Sequence, residues 1–278
     1  MYLSGSVGFT LLEKDKKYIL LLADIHDGVK YCKEDSTMIS SYLNKMSENN
    51  MIMLEEIVRD NFKLEDLWPN SQHTKELKEL NQNNEKIIPI DIRPMLLPFS
   101  WELLESNKKL GDMKLILYIK LIEDFFNKSS VLYEKYIINN ISKINSVLPL
   151  VHFNEILLLY EEFKKEYSDD MNQSILYIYQ NNTDILFRIN NVCSIIMEWY
   201  TILLIHTSIR NCIIHIGLAH SNKILDLLTQ IYNFKIINTS GINTMNDIYT
   251  SAVNTQSACI LLPPDITKRY NKKYGFNF

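Results

Sequence analysis

The stretch Tyr18-Ile19-Leu20-Leu21-Leu22-Ala23-Asp24-Ile25-His26-Asp27-Gly28 decides the fold. From Tyr18 to Ala23 every position is apolar, the pattern of a strand covered on both faces, and such strands belong to parallel sheets flanked by helices. The run then ends abruptly in Asp24-Ile25-His26-Asp27-Gly28. Polar groups just past a buried strand are where open α/β sheets usually place their sites. Upstream, Ser6 to Leu12 is a second β-rich run, separated from the first by Glu13-Lys14-Asp15-Lys16-Lys17. Two such runs with a charged connection predict a hairpin.

The same alternation continues downstream. Ser36 to Asn49 carries Met38, Ile39, Tyr42, Leu43 and Met46 at helical spacing and predicts an amphipathic helix. Met51-Ile52-Met53-Leu54 predicts a short strand ending in Glu55-Glu56; Lys75 to Leu80 reads as helix; Lys86 to Ile92 reads as a strand ending in Asp91-Ile92-Arg93-Pro94. Strand, polar end, helix, strand is the signature of a mostly parallel sheet. Beyond Ser100 the period changes. Trp101 to Phe126, Ser130 to Ile144, Glu155 to Tyr167 and Asp184 to Ser208 repeat apolar residues every three or four positions, with no self-similarity at a fixed period. Strand character returns at Asn211 to Ile216, followed by Gly217-Leu218-Ala219-His220, a helix over Ser221 to Ile231, and short strands at Phe234 to Ile237 and Gln256 to Leu262. The expected fold class is α/β: a mostly parallel central sheet with flanking helices and a large all-helical insertion. Residues 1–98 and 210–278 form the α/β core, and 99–209 the helical insertion.

Composition narrows the function. In 278 residues, 46% hydrophobic and 22% charged positions suffice for a sizeable core, and the net charge of -4 argues against a dedicated nucleic-acid binder. The N-terminus lacks the basic start and apolar run of a signal peptide, and Val192 to Ile209 is interrupted by Glu198 and His206, so a buried helix is expected there and no membrane span. Cys32, Cys193, Cys212 and Cys259 show no CxxC spacing; reduced, mostly buried thiols in a cytoplasmic protein are expected.

Chemistry-bearing residues recur at the strand ends: Asp24-x-His26, Glu55-Glu56, Asp91-x-Arg93 and His220. Singly, each has a bland explanation in sheet packing or helix charge. Jointly, two imidazoles and two or three carboxylates at one sheet edge have two uses. They can hold a divalent metal that lowers the pKa of a bound water to around 7, or a carboxylate can orient an imidazole that acts as general base. Gly217 permits a sharp turn that brings His220 back to the edge. His215 reads as a sheet-face histidine, and His73, His152 and His206 as structural or surface residues. The tyrosines of the helical block, Tyr160, Tyr177 and Tyr179 among them, read as packing with a substrate groove as the alternative.

Ile19 to Asp27 resembles the first motif of the superfamily uniting erythromycin esterase, the ChaN-like haem-uptake lipoproteins and the TraB/Tiki proteins. There, a hydrophobic strand ends in Gly-Glu-x-His or Gly-Thr-x-His. Gly217-Leu218-Ala219-His220 is similar to the late Gly-x-x-His motif, Met51 to Glu55 to the intermediate strand with its functional Glu, and Ile90 to Arg93 to the strand that follows. The resemblance covers about Val7 to Arg93 and Cys212 to Phe234 and leaves the helical block unmatched. It departs at Ala23-Asp24, which stands where Gly-Glu or Gly-Thr is expected, with a carboxylate one methylene shorter.

The resemblance implies a hydrolase that activates water, through a metal or a histidine, against a peptide or small-molecule ester bond. The expected catalytic residues are His26, Glu55, Arg93 and His220. The expected ligands of a Mn, Zn or Fe ion are His26, Glu55, His220 and Asp24, with Glu55 preferred to Glu56 as the functional carboxylate. Arg93 is expected to stabilise a carboxylate or developing oxyanion. The alternative is a catalytically degenerate α/β module of the same fold serving ligand or protein binding, and the Ala23-Asp24 departure favours it. Metallophosphoesterase chemistry is a weaker third, because the Gly-Asn-His block it needs is absent.

Overall fold

The structure, a computed structural model, describes residues 1–33, 35–57, 71–93, 108–126, 148–250 and 256–271. These form two compact units, Met1–Asp91 with Ser208–Phe278, and Ile92–Thr207.

In chain order the strands are β1 (Tyr2–Ser4), β2 (Gly8–Lys14), β3 (Lys17–Asp24), β4 (Lys30–Tyr31), β5 (Ser36–Met38), β6 (Met51–Ile57), β7 (Ile87–Asp91), β8 (Cys212–Gly217), β9 (Lys235–Gly241) and β10 (Ser257–Leu261). All lie in the first unit. The helices of that unit are α1 (Ile39–Met46) and α2 (Gln72–Asn83) before the second unit. The second unit holds α3 (Lys108–Gly111), α4 (Leu115–Phe126), α5 (Leu148–Glu166), α6 (Ile175–Asn181) and α7 (Asp184–Thr207). The first unit resumes with α8 (Leu218–Asp226), α9 (Met245–Thr250) and α10 (Pro264–Asn271).

Six strands pair in the order β7-β6-β8-β3-β2-β9. The expected hairpin is there: β2 and β3 run antiparallel from Gly8 opposite Ala23 to Lys14 opposite Lys17. Asp15 and Lys16 close it in the left-handed region, at φ 49 and 66, the backbone sense that suits strand twist in a two-residue turn. The pairs β3–β8, β8–β6 and β6–β7 are all parallel. Their carboxyl ends therefore share one edge of the sheet, where Asp24 lies opposite Gly217. The chain is a mixed α/β protein with mostly parallel strands.

One face of this sheet is sealed by a continuous core. Leu20 and Leu22 of β3, Ile213 of β8, and Ile52 and Leu54 of β6 pack with Ile39, Tyr42, Leu43 and Met46 of α1 and Leu77 of α2. Each such buried side chain contributes roughly 1.5–3 kcal/mol. Ala23 points the other way, as strand alternation requires, and meets Val7, Leu218 and Ala258.

Of the second sheet, ordered β4-β10-β1-β5, the sequence announces β10 alone, expected at Gln256 to Leu262. The other three strands are two or three residues long, too short to show a period. β5 corrects the expected start of the first helix. Ser36 to Met38 pair in parallel with β1, so the backbone is still extended at Met38 and the helix begins at Ile39. The same sheet corrects the cysteine reading: Cys32, just past β4, forms a disulfide with Cys259 on β10, their Cα atoms 4.9 Å apart. The spacing rule looks for local pairs, and this one joins residues brought together by strand pairing. Cys193 and Cys212 are free and buried, as expected.

In the second unit the described residues contribute helices and an isolated bridge between Lys114 and Ser174. Tyr160 is buried there and donates its hydroxyl hydrogen bond to the Ile119 carbonyl, so it belongs to the packing, whereas Tyr177 is exposed. The stretch Ser130 to Ile144, read from its spacing as helical, lies outside the described residues, as does the side chain of His152. Among the described residues no helix is long and apolar enough to cross a membrane.

Candidate functional site

Asp24 is the last residue of β3, and its carboxylate is buried between two imidazoles. One oxygen lies 2.8 Å from His26 Nδ1 and the other 2.8 Å from His73 Nε2. Burial by itself raises this carboxyl, but the hydrogen bonds from His26 and His73, helped by the fields of His215 and His26, outweigh it. The net effect holds Asp24 well below the usual carboxylate range, so it is ionised at neutral pH. An ionised carboxylate only accepts. Both histidines therefore donate to it: His26 through Nδ1–H, His73 through Nε2–H.

His73 is the second residue of α2 and fully buried. Its other nitrogen, Nδ1, lies 2.8 Å from the Tyr31 hydroxyl and 3.1 Å from the Ser71 hydroxyl, either of which can donate to it. Gly5 closes over this group with φ +104. A Cβ at that position would meet Ile39 Cγ2 at 2.6 Å and His73 Cβ at 3.1 Å, so the close approach requires glycine. The Gly5 carbonyl accepts from His215 Nε2 at 3.2 Å, and the His215 ring lies edge-on to His73 with centroids 6.5 Å apart. Burial pushes His215 below the usual imidazole range, with Asp24 opposing, so it is neutral at pH 7.

A second group adjoins the first across Gly217. Glu55 of β6 accepts a hydrogen bond from Gly217 N–H at 2.5 Å. Gly217 precedes the first turn of α8 and has no side chain to cap it, so the neighbouring strand supplies an anion at that positive helix end. The other Glu55 oxygen lies 3.6 Å from Nε2 of His220, which α8 carries. That distance suits an ion pair with a protonated ring and is too long for a hydrogen bond. A Cβ on Gly217 would sit 3.0 Å from Glu55 Oε2 and 3.1 Å from His26 Nε2, so the missing side chain is what lets the two groups meet. Beyond them β6 breaks register between Leu54 and Ile57, a bulge that puts consecutive glutamates at the strand end. Burial, opposed by Lys78 and reinforced by Asp91 and Glu55, pushes Glu56 up to about 7.

Asp24, His26, Glu55 and His220 are thus brought to one edge. Arg93 falls just past β7, at the start of the second unit. His73, read from sequence as structural or surface, joins the cluster, and Tyr31 and Ser71 come with it. No local motif marks them; His73 is 49 positions from Asp24 and arrives through the docking of α2. As ligands for a Mn, Zn or Fe ion these residues fit poorly, because both Asp24 oxygens already accept from imidazoles and Glu55 Oε2 already accepts from Gly217. Among the described residues no group of three or more His, Cys, Asp or Glu is placed to hold a metal.

Fold and site together define a mixed α/β protein with a carboxylate–imidazole cluster at the carboxyl ends of parallel strands. Comparison with family models, curated proteins and solved structures yields no match to this chain.

Proposed function

We propose that the protein is a hydrolase acting on a peptide or small-molecule ester bond, with His26 as the base that activates water. The observation that carries this is the Asp24–His26 pair. Because Nδ1–H donates to an ionised Asp24, the neutral ring keeps its lone pair on Nε2, at the strand-end edge beside Gly217 and Glu55. In the proposed reaction His26 Nε2 takes a proton from water as the water oxygen bonds to the carbonyl carbon. Asp24 offsets the imidazolium charge, and the proton then passes to the leaving oxygen or nitrogen as the acyl bond breaks. Glu55 holds the turn at Gly217 and so the position of His220, the second imidazole of the edge.

This reading treats the helical block as an insertion in the α/β chain, with no role for nucleic acid or membrane. It keeps the cytoplasm as the working compartment, against which the Cys32–Cys259 bridge stands, since disulfides persist in oxidising surroundings. Labelling of accessible thiols in intact cells separates the two.

The test is a panel of activated esters and peptides. His26→Ala should lower kcat/KM by about 10²–10⁴-fold, the usual contribution of a general base. Unchanged hydrolysis in both Glu55→Ala and His220→Ala overturns the site. A second reading, a degenerate α/β module that binds a ligand or protein, is favoured by the complete engagement of Asp24 by two histidines. No turnover across the panel, combined with saturable binding of a small molecule or protein, selects it. Protein that keeps stoichiometric Mn, Zn or Fe through gel filtration restores the metal route.

A further inference from the structure

We propose that His73 is a positioning residue of this site: it fixes the Asp24 carboxylate so that His26 is held in one tautomer, and Tyr31 fixes His73 in turn. The inference rests on the hydrolase reading for its kinetic consequences, but its geometry stands independently.

A buried carboxylate that pairs with a single imidazole can rotate about its side-chain torsions and present either oxygen. Here the second oxygen is held, 2.8 Å from His73 Nε2. His73 itself has no freedom to turn. Its ring is fully buried, Gly5 closes against its Cβ, and its Nδ1 faces the Tyr31 and Ser71 hydroxyls. Its backbone N–H points to the same Tyr31 oxygen, at 3.4 Å. With Nε2–H committed to the ionised Asp24, Nδ1 of the neutral ring is an acceptor, and the Tyr31 oxygen accepts from the chain and donates to the ring. The hydrogen bonds converge on the carboxylate from both sides: Tyr31 O–H to His73 and His73 Nε2–H to one Asp24 oxygen, His26 Nδ1–H to the other. Reversing any one link would set two donors or two acceptors face to face in a buried place, which is costly. The array thus selects the His26 tautomer whose lone pair lies on Nε2.

Tyr31 is anchored from its own side. Ala258 of β10 pairs with it across the second sheet, and Cys32, the next residue, is bonded to Cys259. The second sheet thereby holds one end of an array whose other end is the proposed base.

The experiment is heteronuclear NMR of the imidazole nitrogens, which reports tautomers directly, alongside steady-state kinetics on the best ester found. In the wild-type protein the neutral rings should show hydrogen on Nδ1 of His26 and on Nε2 of His73. His73→Leu should give a mixture of His26 tautomers and lower kcat by about tenfold with KM within about twofold, the pattern of a base misoriented rather than a substrate lost. His73→Gln, whose amide can donate to Asp24, should restore the single His26 signature and most of kcat. A wild-type His26 with hydrogen on Nε2, or a His73→Leu protein whose His26 signature is unchanged, overturns the inference. Should His73→Leu fail to fold, the wild-type tautomers and His73→Gln decide it alone. Tautomers that respond as described in a protein that hydrolyses nothing refute the hydrolase reading and leave the positioning role standing.

Discussion

The two halves of the strand-end cluster are built on opposite principles. On the Asp24 side the buried carboxylate is matched: it takes one hydrogen bond on each oxygen, and the imidazole behind it is itself held by hydroxyls. On the Glu55–Glu56 side two carboxylates follow one another at a bulge near Asp91, and burial with like charge drives the second toward protonation. Hydrogen-bond donors and opposite charge keep a buried group ionised; burial without them, reinforced by like charge, leaves it half-neutral at physiological pH. A carboxylate of the first kind is suited to orienting a base, and one of the second kind to exchanging protons. The contrast separates residues that hold geometry from those that can change state within a single edge of one sheet.

The sharpest way to break the contrast is to remove its fixed member. Asp24→Ala leaves two buried or half-buried imidazoles without their shared acceptor, and loss of one partner from such a buried array typically destabilises by about 3–5 kcal/mol. Urea unfolding should show a lower midpoint at an unchanged slope, and a loss under about 1 kcal/mol would mean that the array carries little of the fold. The carboxylate also sets an acid limit. Because the folded state holds Asp24 below its ordinary value, the stabilisation is complete above the unfolded carboxyl range, about 4, and drains away as the pH falls beneath it.

A smaller effect should follow from opening the Cys32–Cys259 bridge. It closes a long loop, its ends separated by 227 in sequence, and replacing both cysteines with serine should destabilise by about 2–4 kcal/mol. The loss should be local in its consequences. Hydrogen exchange should quicken around Tyr31 and His73, which the second sheet anchors, and stay unchanged at Gly217, which Glu55 holds. Equal loosening on both sides would show that the two halves are one cooperative unit.

What the sequence disclosed and what it withheld divide along the same line. The run Tyr18 to Ala23 is apolar throughout because it is buried on both faces, so β3 and its polar end were legible from periodicity alone. The glutamates after Met51 to Leu54 and the histidine after Gly217 were legible for the same reason. His73 was not, since a histidine in the first turn of a polar helix carries no period; only the packing of α2 against α1 and β6 brings it to Asp24. The disulfide was hidden because its cysteines meet through the pairing of β10 with β4, a two-residue strand too short to show alternation. Glu55 and Glu56 could not be told apart in sequence either. The irregularity after Leu54 distinguishes them, giving Glu55 a backbone donor and leaving Glu56 half-buried near Asp91 and Glu55.

That last distinction has the smallest expected effect and the clearest sign. An acid whose folded-state pKa is raised binds its proton more tightly folded than unfolded, so it favours the native state at low pH and opposes it once both states are ionised. For Glu56, pushed up to about 7 from an ordinary 4.5, stability should fall as the pH climbs between those values and level off above. Glu56→Gln removes the titration while keeping the shape. It should match the wild type near pH 4, where Glu56 is largely neutral folded and unfolded, and exceed it near pH 8 by on the order of 1 kcal/mol. Thermal melts at the two pH values provide the comparison. A Gln variant that gains nothing at pH 8 would mean that Glu56 is solvated or paired when charged, and the proposed division between a fixed and a titrating half of the site would fall with it.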